Sequence, residues 1–207
     1  MTYRPTNPPE GKHAFTLVEL CAALAVIAML LAAGIPLLGT NAARQWRAAT
    51  DMTSGLIDQA RTTAIASRAT ILLAIIDPAD LEMNDDICRI GLFKVNAWPD
   101  DGPIEATRLG RWHTLPSGTI IAGGTVDGLR NPRDEAGLDI RCGDQTLHAH
   151  ALAFTPRGGL RWPQGSDSVV LSIAEGGYRN GKANARSRPR NHLKIGRVTA
   201  RPLRYEP

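Results

Sequence analysis

The most apolar part of the sequence lies near its N-terminus. No charged side chain occurs from Leu20 to Gly39, and Glu19 stands alone at the start of this run. About 20 apolar residues in a helix are long enough to cross the hydrocarbon core of a bilayer. The pattern therefore predicts one transmembrane helix over residues 15–38.

A secretory signal peptide and a simple one-pass anchor are alternative interpretations of the same run. The small residues at 30–34 would suit cleavage of a signal peptide. Neither alternative requires a carboxylate, and a charge in hydrocarbon costs about 3 kcal/mol unless it is paired. Glu19 therefore predicts a partner of opposite charge. The other interpretation is a carboxylate close enough to the interface to stay hydrated.

The segment after this run has the period of an amphipathic helix. Between residues 41 and 69, apolar side chains recur every three or four positions, at Trp46, Ala49, Met52, Leu56, Ala60 and Ala64. This spacing places them on one face of a helix. We therefore predict that the helix continues over residues 39–69 as a stalk whose apolar face covers a sheet.

From residue 70 the pattern changes to short apolar or alternating runs. They cover 70–77, 87–95, 118–124, 147–154, 168–174 and 192–200, and clusters of Gly, Pro, Asp or Asn bound them. Such runs are typical of strands separated by turns. Residues 70–207 are therefore predicted to form one mainly antiparallel β domain, with loops at 77–86 and 176–190.

Charge and cysteine content add two further hypotheses. The formal net charge is +4, but nine basic residues and a single acidic one follow Glu175, so an anionic partner would bind near the C-terminus. Cys88 and Cys142 could form a disulfide in an oxidising compartment. That bond would close a loop of about 55 residues and contribute on the order of 4 kcal/mol. Two free buried thiols are the alternative.

Few residues have the spacing of a reactive site. His148 and His150 share one face of a predicted strand, but no further ligands at a known spacing accompany them. The acidic stretch 77–86 lacks the central Gly and terminal Glu of an EF-hand loop. Nucleophile, phosphate and dinucleotide motifs are also missing. The sequence predicts no enzyme, no metal, no cofactor and no small-molecule substrate.

The stretch AFTLVEL, residues 14–20, resembles the processing and methylation site of type IV pilins and type II secretion pseudopilins. The resemblance implies that a prepilin peptidase removes the leader, residues 1–14, by cutting between Ala14 and Phe15. Phe15 would then be N-methylated by the same peptidase/methyltransferase. Glu19 would face the N-terminal ammonium of a neighbouring subunit. The family most often has Gly where this chain has Ala14, so we expect slower cleavage.

Pro36 fits the same resemblance, since pilin-like proteins commonly have proline in this region. Proline removes a helical hydrogen bond and clashes with the preceding turn. A softened helix would help subunits pack in a filament. A helix that simply ends at residues 34–36 is the alternative, and the sequence leaves both open.

Later segments are similar to H-type minor pseudopilins and related minor pilins, namely RWHTLPSGTII, LAFTPRGGL and HLKIGRVTA. The resemblance implies an α+β, pilin-like fold with a long N-terminal helix, half in the membrane and half amphipathic, packed on the β domain. It implies a single-pass inner-membrane protein with a cytoplasmic N-terminus and a periplasmic domain. Its partners would be the prepilin peptidase, other pilins or pseudopilins and inner-membrane lipid.

The resemblance implies that the chain is a structural subunit of a type II secretion pseudopilus or a type IV pilus. The alternative function is that of a DNA-binding minor pilin used in DNA uptake. Some members of the family have a C-terminal Gly-Arg-x-Arg element, and GRVTAR here resembles it. Arg197 matches, whereas the next arginine, Arg201, comes two positions late. Basic side chains there would contact phosphates without sequence preference.

Overall fold

The computed structural model describes residues 17–38, 41–81, 85, 87–189 and 191–206. The chain divides into two compact units, Met1–Asn41 and Ala42–Pro207. The first unit contains helix α1, Leu17–Leu38, and helix α2, Asn41–Ser67, belongs almost entirely to the second. The boundary between the two units therefore falls at the start of α2.

Helix α2 buries the face that its apolar period predicts. Its buried apolar side chains are Ala49, Leu56, Ile57, Ala60 and Ala64. Thr50 and Thr53 are buried beside them, which the apolar pattern did not predict. The two hydroxyls donate to the carbonyls of Trp46 and Ala49 at 2.8 and 2.7 Å. Because these bonds satisfy the hydroxyls locally, threonine is tolerated on the buried face.

Among the residues that the structure describes, the second unit also contains eleven strands and a short 3-10 helix, Pro78–Leu81. The strands are β1 Ile71–Ile76, β2 Arg89–Ala97, β3 Ile104–Thr114, β4 Thr119–Ala122, β5 Leu138–Cys142, β6 Gln145–Phe154, β7 Leu160–Trp162, β8 Val169–Arg179, β9 Lys182–Ala185, β10 Asn191–Ile195 and β11 Pro202–Tyr205. All six runs predicted from the sequence overlap a strand.

The first sheet closes on itself. Its strand order is β1-β2-β3-β5-β6-β7, and β1 also pairs with β6, which completes a ring of five strands. All of its pairings are antiparallel except β3 with β5. Strand β7 extends the sheet beyond β6.

The second sheet has the order β11-β10-β8-β4, and β9 pairs with the far end of β8. Between the pairs Ile173–Asn191 and Gly176–Ala185, β8 advances three residues while the opposite chain advances six. The chain opposite β8 therefore has three more residues than β8 between these two pairs.

Strand β1 contributes to two cores because its side chains alternate between two faces. Ile71, Leu73 and Ile75 join α2 and the second sheet in the first core. Leu72 and Ala74 point into the ring of strands, where the second core lies. Alanine is frequent in that second core, because a five-stranded ring leaves little room. Burial on both faces explains why β1 is an uninterrupted apolar run.

The predicted pilin-like α+β fold, with one long N-terminal helix over residues 15–69, is wrong. Within the described ranges the chain has two α-helices, with α1 ending at Leu38 and α2 beginning at Asn41, and it is mainly β. The sequence offers a physical reason for the division. Gly39 follows α1, and glycine commonly ends helices, whereas asparagine favours a helix start.

The predicted transmembrane helix over residues 15–38 is also wrong. A bilayer span needs about 20 consecutive apolar residues. In the part of the chain that the structure describes, no helix is long and apolar enough to cross a membrane. The single-pass inner-membrane localisation, with a periplasmic domain, depended on that helix and is corrected with it.

Candidate functional site

Helix α1 exposes a continuous apolar surface. Eight large side chains between Leu17 and Leu30 are each 51–79% exposed. They are Leu17, Val18, Leu20, Leu24, Val26, Ile27, Met29 and Leu30. Glu19 lies in the first turn of the same helix and is exposed too. A carboxylate is favoured there by the positive end of the helix dipole.

The predicted cleavage and methylation residues, Ala14 and Phe15, lie outside the described residues. Pro36 lies inside α1, which continues to Leu38. The interpretation in which the helix ends at residues 34–36 therefore does not hold.

Cys88 and Cys142 are both free thiols. Cys88 is buried in the first core, whereas Cys142 is half-buried against the second. Burial raises the pKa of the Cys88 thiol to about 11. Since the thiolate is the reactive form, Cys88 is protected from oxidation and alkylation in the folded chain.

A buried ion pair lies where β1 ends. Arg133 donates two hydrogen bonds to the carboxylate of Asp77, both at 2.9 Å. The two side chains are only 8% and 14% exposed. Such a pair is costly to break, because the remaining charge would be buried without a partner. It joins the loop after β4 to the end of β1, a contact between residues 56 positions apart.

The pKa values of two polar side chains near this pair, His150 and Tyr178, are shifted, mainly by burial. Burial lowers the pKa of His150, and the charge of Arg133 adds to that effect. Burial raises the pKa of Tyr178 far above its ordinary range. The Tyr178 hydroxyl lies beside the Cys88 thiol, whereas His150 Nδ1 has no hydrogen-bond partner among the described residues.

The two histidines on β6 have different surroundings. His148 is exposed, and its Nδ1 lies 2.8 Å from a carboxylate oxygen of Asp139. His150 is half-buried, and the two ring centroids are 6.3 Å apart. Among the described residues, no group of three or more ligating side chains is placed to hold a metal ion.

A polar cleft of about 470 Å³ lies where β2 and β7 end and where β3 and β5 begin. Its lining includes Trp98, Trp162, Asp139 and Arg161. The Arg161 guanidinium lies 4.3 Å from the centroid of the Trp98 ring. This distance is that of a cation–π contact, so the Arg161 guanidinium covers part of the Trp98 ring.

Arg197 holds a loop together inside the fold. Its guanidinium donates to the carbonyls of Asp167, at 3.1 Å, and Pro163. Burial lowers the pKa of Arg197, and nearby Arg130 lowers it further. These bonds use donors on Nε and Nη1 and fix the orientation of the guanidinium. Arg201 is exposed, and DNA contact by the two arginines stays a prediction.

The structure contains a hairpin, formed by β8 and β9, within the region 176–190 where the sequence predicts a loop. Strands β8 and β9 meet at Asn180 and Gly181, whose φ angles are 53° and 74°. Asn-Gly between two strands is a strong signal for this two-residue turn, because both positions need positive φ. The dipeptide at 180–181 was therefore the signal that could have identified the hairpin.

Comparisons with protein families, with curated proteins and with solved structures found no match to this chain.

Proposed function

We propose that the chain is a structural subunit of a pilin-type filament, either a type II secretion pseudopilus or a type IV pilus. The observation that carries the proposal is the surface of α1, where large apolar side chains are exposed beside one carboxylate. Extensive exposed apolar surface is typical of a protein–protein contact. The partners that would cover it are the corresponding helices of neighbouring subunits.

Glu19 would set the register of that contact. Cleavage before Phe15 creates an α-ammonium that is charged near neutral pH, and methylation keeps the charge. Glu19 of one subunit would pair with the ammonium of its neighbour. An unpaired carboxylate among packed apolar helices is costly, so subunits would associate only in the register that forms the pair.

The α2 and β unit would be the body that the filament displays, without catalytic activity of its own. Its buried ionic groups Asp77 and Arg133 are bonded to each other, and its buried thiol is protonated. These features support a structural role. The outer surface of the β unit would contact other subunits or cargo.

The first test is the N-terminus of the mature protein, measured by mass spectrometry after co-expression with a prepilin peptidase. The proposal predicts a chain that begins with N-methylated Phe15. A chain that retains Met1, or one cut near Gly34, would contradict it.

The second test compares variants of Glu19 in a filament assembly assay. Glu19→Ala should be processed normally but incorporated about tenfold less, because the ammonium of the neighbour loses its partner. Glu105→Ala is a matched control, since Glu105 is an exposed carboxylate on β3. Equal incorporation of the two variants would contradict the role of Glu19.

A further inference from the structure

The β8–β9 hairpin and the loop that follows it carry four exposed basic side chains within ten positions, at Arg179, Lys182, Arg186 and Arg188. Arg179 and Lys182 are direct partners across the two strands. Like charges in opposite positions of a strand pair are destabilising. The repulsion between Arg179 and Lys182 therefore reduces the stability of the hairpin.

Strand alternation places the polar side chains of the hairpin on its outer face. Tyr178 is buried, and Ala183, its partner on β9, packs against the first core. Adjacent residues on a strand point to opposite faces. Arg179, Lys182 and Asn184 therefore face away from the core.

This outer face contains a small cleft of about 210 Å³. Four of its lining residues have side-chain hydrogen-bond donors, namely Arg179, Asn184, Arg186 and the buried Tyr178. Gly177 lies opposite Asn184 in the strand pair. A side chain at position 177 would extend into open space, so its absence keeps the face accessible. The cleft thus combines two guanidinium groups, one side-chain amide and an open glycine.

The four basic side chains form no ion pair within the described part of the chain, and the acidic residue on the same face is Glu175, opposite Arg186. The described ion pairs of the second unit use Arg89, Arg130, Arg133, His148 and Arg204. None of the four basic side chains takes part in these pairs. Arg186 lies at the cleft, where its backbone amide donates to the carbonyl of Glu175 on β8 at 2.8 Å. A bound anion would relieve the repulsion among these charges.

We propose that the outer face of the β8–β9 hairpin is a binding site for a phosphate or sulfate group. Two guanidinium groups and an amide line this one cleft. Phosphate and sulfate groups present three or more oxygens in a tetrahedral arrangement, so a single anion can accept hydrogen bonds from all three side chains. Arginine forks bind such groups with two parallel hydrogen bonds. The proposal is independent of the filament role.

The test is calorimetric titration of the full chain with inorganic pyrophosphate and with inorganic sulfate at low ionic strength. The double variant Arg179→Gln, Arg186→Gln should bind the preferred anion about tenfold more weakly. A matched control is the double variant Arg141→Gln, Arg157→Gln, which removes two exposed charges elsewhere. It should change the affinity by no more than about twofold.

The two anions identify the ligand chemistry. Tighter binding of pyrophosphate assigns a phosphate-bearing ligand, and tighter binding of sulfate assigns a sulfated one. Either result, with the loss confined to the hairpin variant, supports the site. The absence of binding by both anions, or an equal loss in the control variant, would overturn it. The Gly177 amide resonance should move on titration in the parent protein and stay fixed in the hairpin variant.

Discussion

The two units of the chain differ in whether their apolar and charged side chains are exposed or buried. In α1, large apolar side chains are exposed and one carboxylate, Glu19, lies among them. In the unit formed by α2 and the strands, apolar side chains fill two cores. The charges that are buried there, Asp77 and Arg133, are bonded to each other.

The difference indicates what each unit contributes. A unit that buries its apolar side chains gains its stability from within the chain, since burial is the main favourable term in folding. An apolar helix that stays exposed gains stability only from a partner. Substitutions in the second unit should therefore alter folding, whereas substitutions in α1 should alter association.

The largest expected effect is the loss of the buried ion pair. Arg133→Met should reduce the free energy of unfolding by about 4 kcal/mol, because a buried charge is left without its partner. The remaining carboxylate, that of Asp77, is only 14% exposed. Chemical denaturation measures the loss.

The control for this variant is Arg204→Met, which breaks an ion pair at the surface. The two members of that pair, Arg204 and Asp51, are each 65% exposed. Because solvent screens such a pair, its loss should cost less than about 1 kcal/mol. Similar losses in the two variants would show that burial of the pair does not matter.

A smaller loss is expected from a cavity beneath α2. Ile57 is fully buried in the first core. Ile57→Ala should therefore cost about 3 kcal/mol. Ile65, in the same helix, is 41% exposed and provides the control. Ile65→Ala should cost about 1 kcal/mol or less. Thermal or chemical unfolding of both variants measures the difference, and a control as unstable as Ile57→Ala would argue against the assignment of the buried face.

The matching change in α1 should leave folding almost unaffected. Leu24 is 57% exposed. Leu24→Ala should therefore alter the free energy of unfolding by less than about 0.5 kcal/mol. The same variant should enter filaments less well than the parent protein. Unfolding curves and an assembly assay on one preparation give both quantities. A large loss of stability together with normal assembly would contradict the view that substitutions in α1 alter association and not folding.

The smallest effect concerns pH and His150. Its pKa in the folded chain is below the ordinary value of 6.5, first because of burial and then because of Arg133. Below pH 6.5 the unfolded chain therefore binds more protons than the folded chain, so stability falls as the pH drops toward the folded pKa. His150→Gln should lose less stability than the parent between pH 7 and pH 5. An identical pH dependence in both proteins would exclude His150 as the cause.

Much of the local structure could be predicted from the sequence. The three-to-four spacing from Ala49 to Ala64 specified the buried face of α2, and six apolar runs overlapped strands. Strand β3 was missed because charged residues interrupt its alternation, as in EATRLGR. Strand β9 was missed because its four residues, KANA, are too few and too weakly apolar to show a strand alternation. Local periodicity is a weak signal for short or strongly charged strands.

The candidate site residues were predictable to different degrees. The sequence showed that Glu19 is the single charge in an apolar helix, but it predicted a transmembrane setting and not the exposed position that the structure has. The hydrogen-bond partners of Arg197 and Arg133 could not be predicted from the sequence. An isolated arginine does not indicate whether its guanidinium will donate to a carbonyl, to a carboxylate or to water. Their partners come from loops that are 30–56 positions away.

The sequence by itself determined which segments are apolar, which face of α2 is buried and where most strands lie, because helix and strand periods are local properties. Only the tertiary structure decided that β1 pairs with both β2 and β6, which closes the ring and divides the interior into two cores. It also decided which arginines are used within the fold and which remain on the surface of the β8–β9 hairpin. Strand pairing and ion pairing between distant segments depend on how the whole chain packs, and no local pattern contains that information.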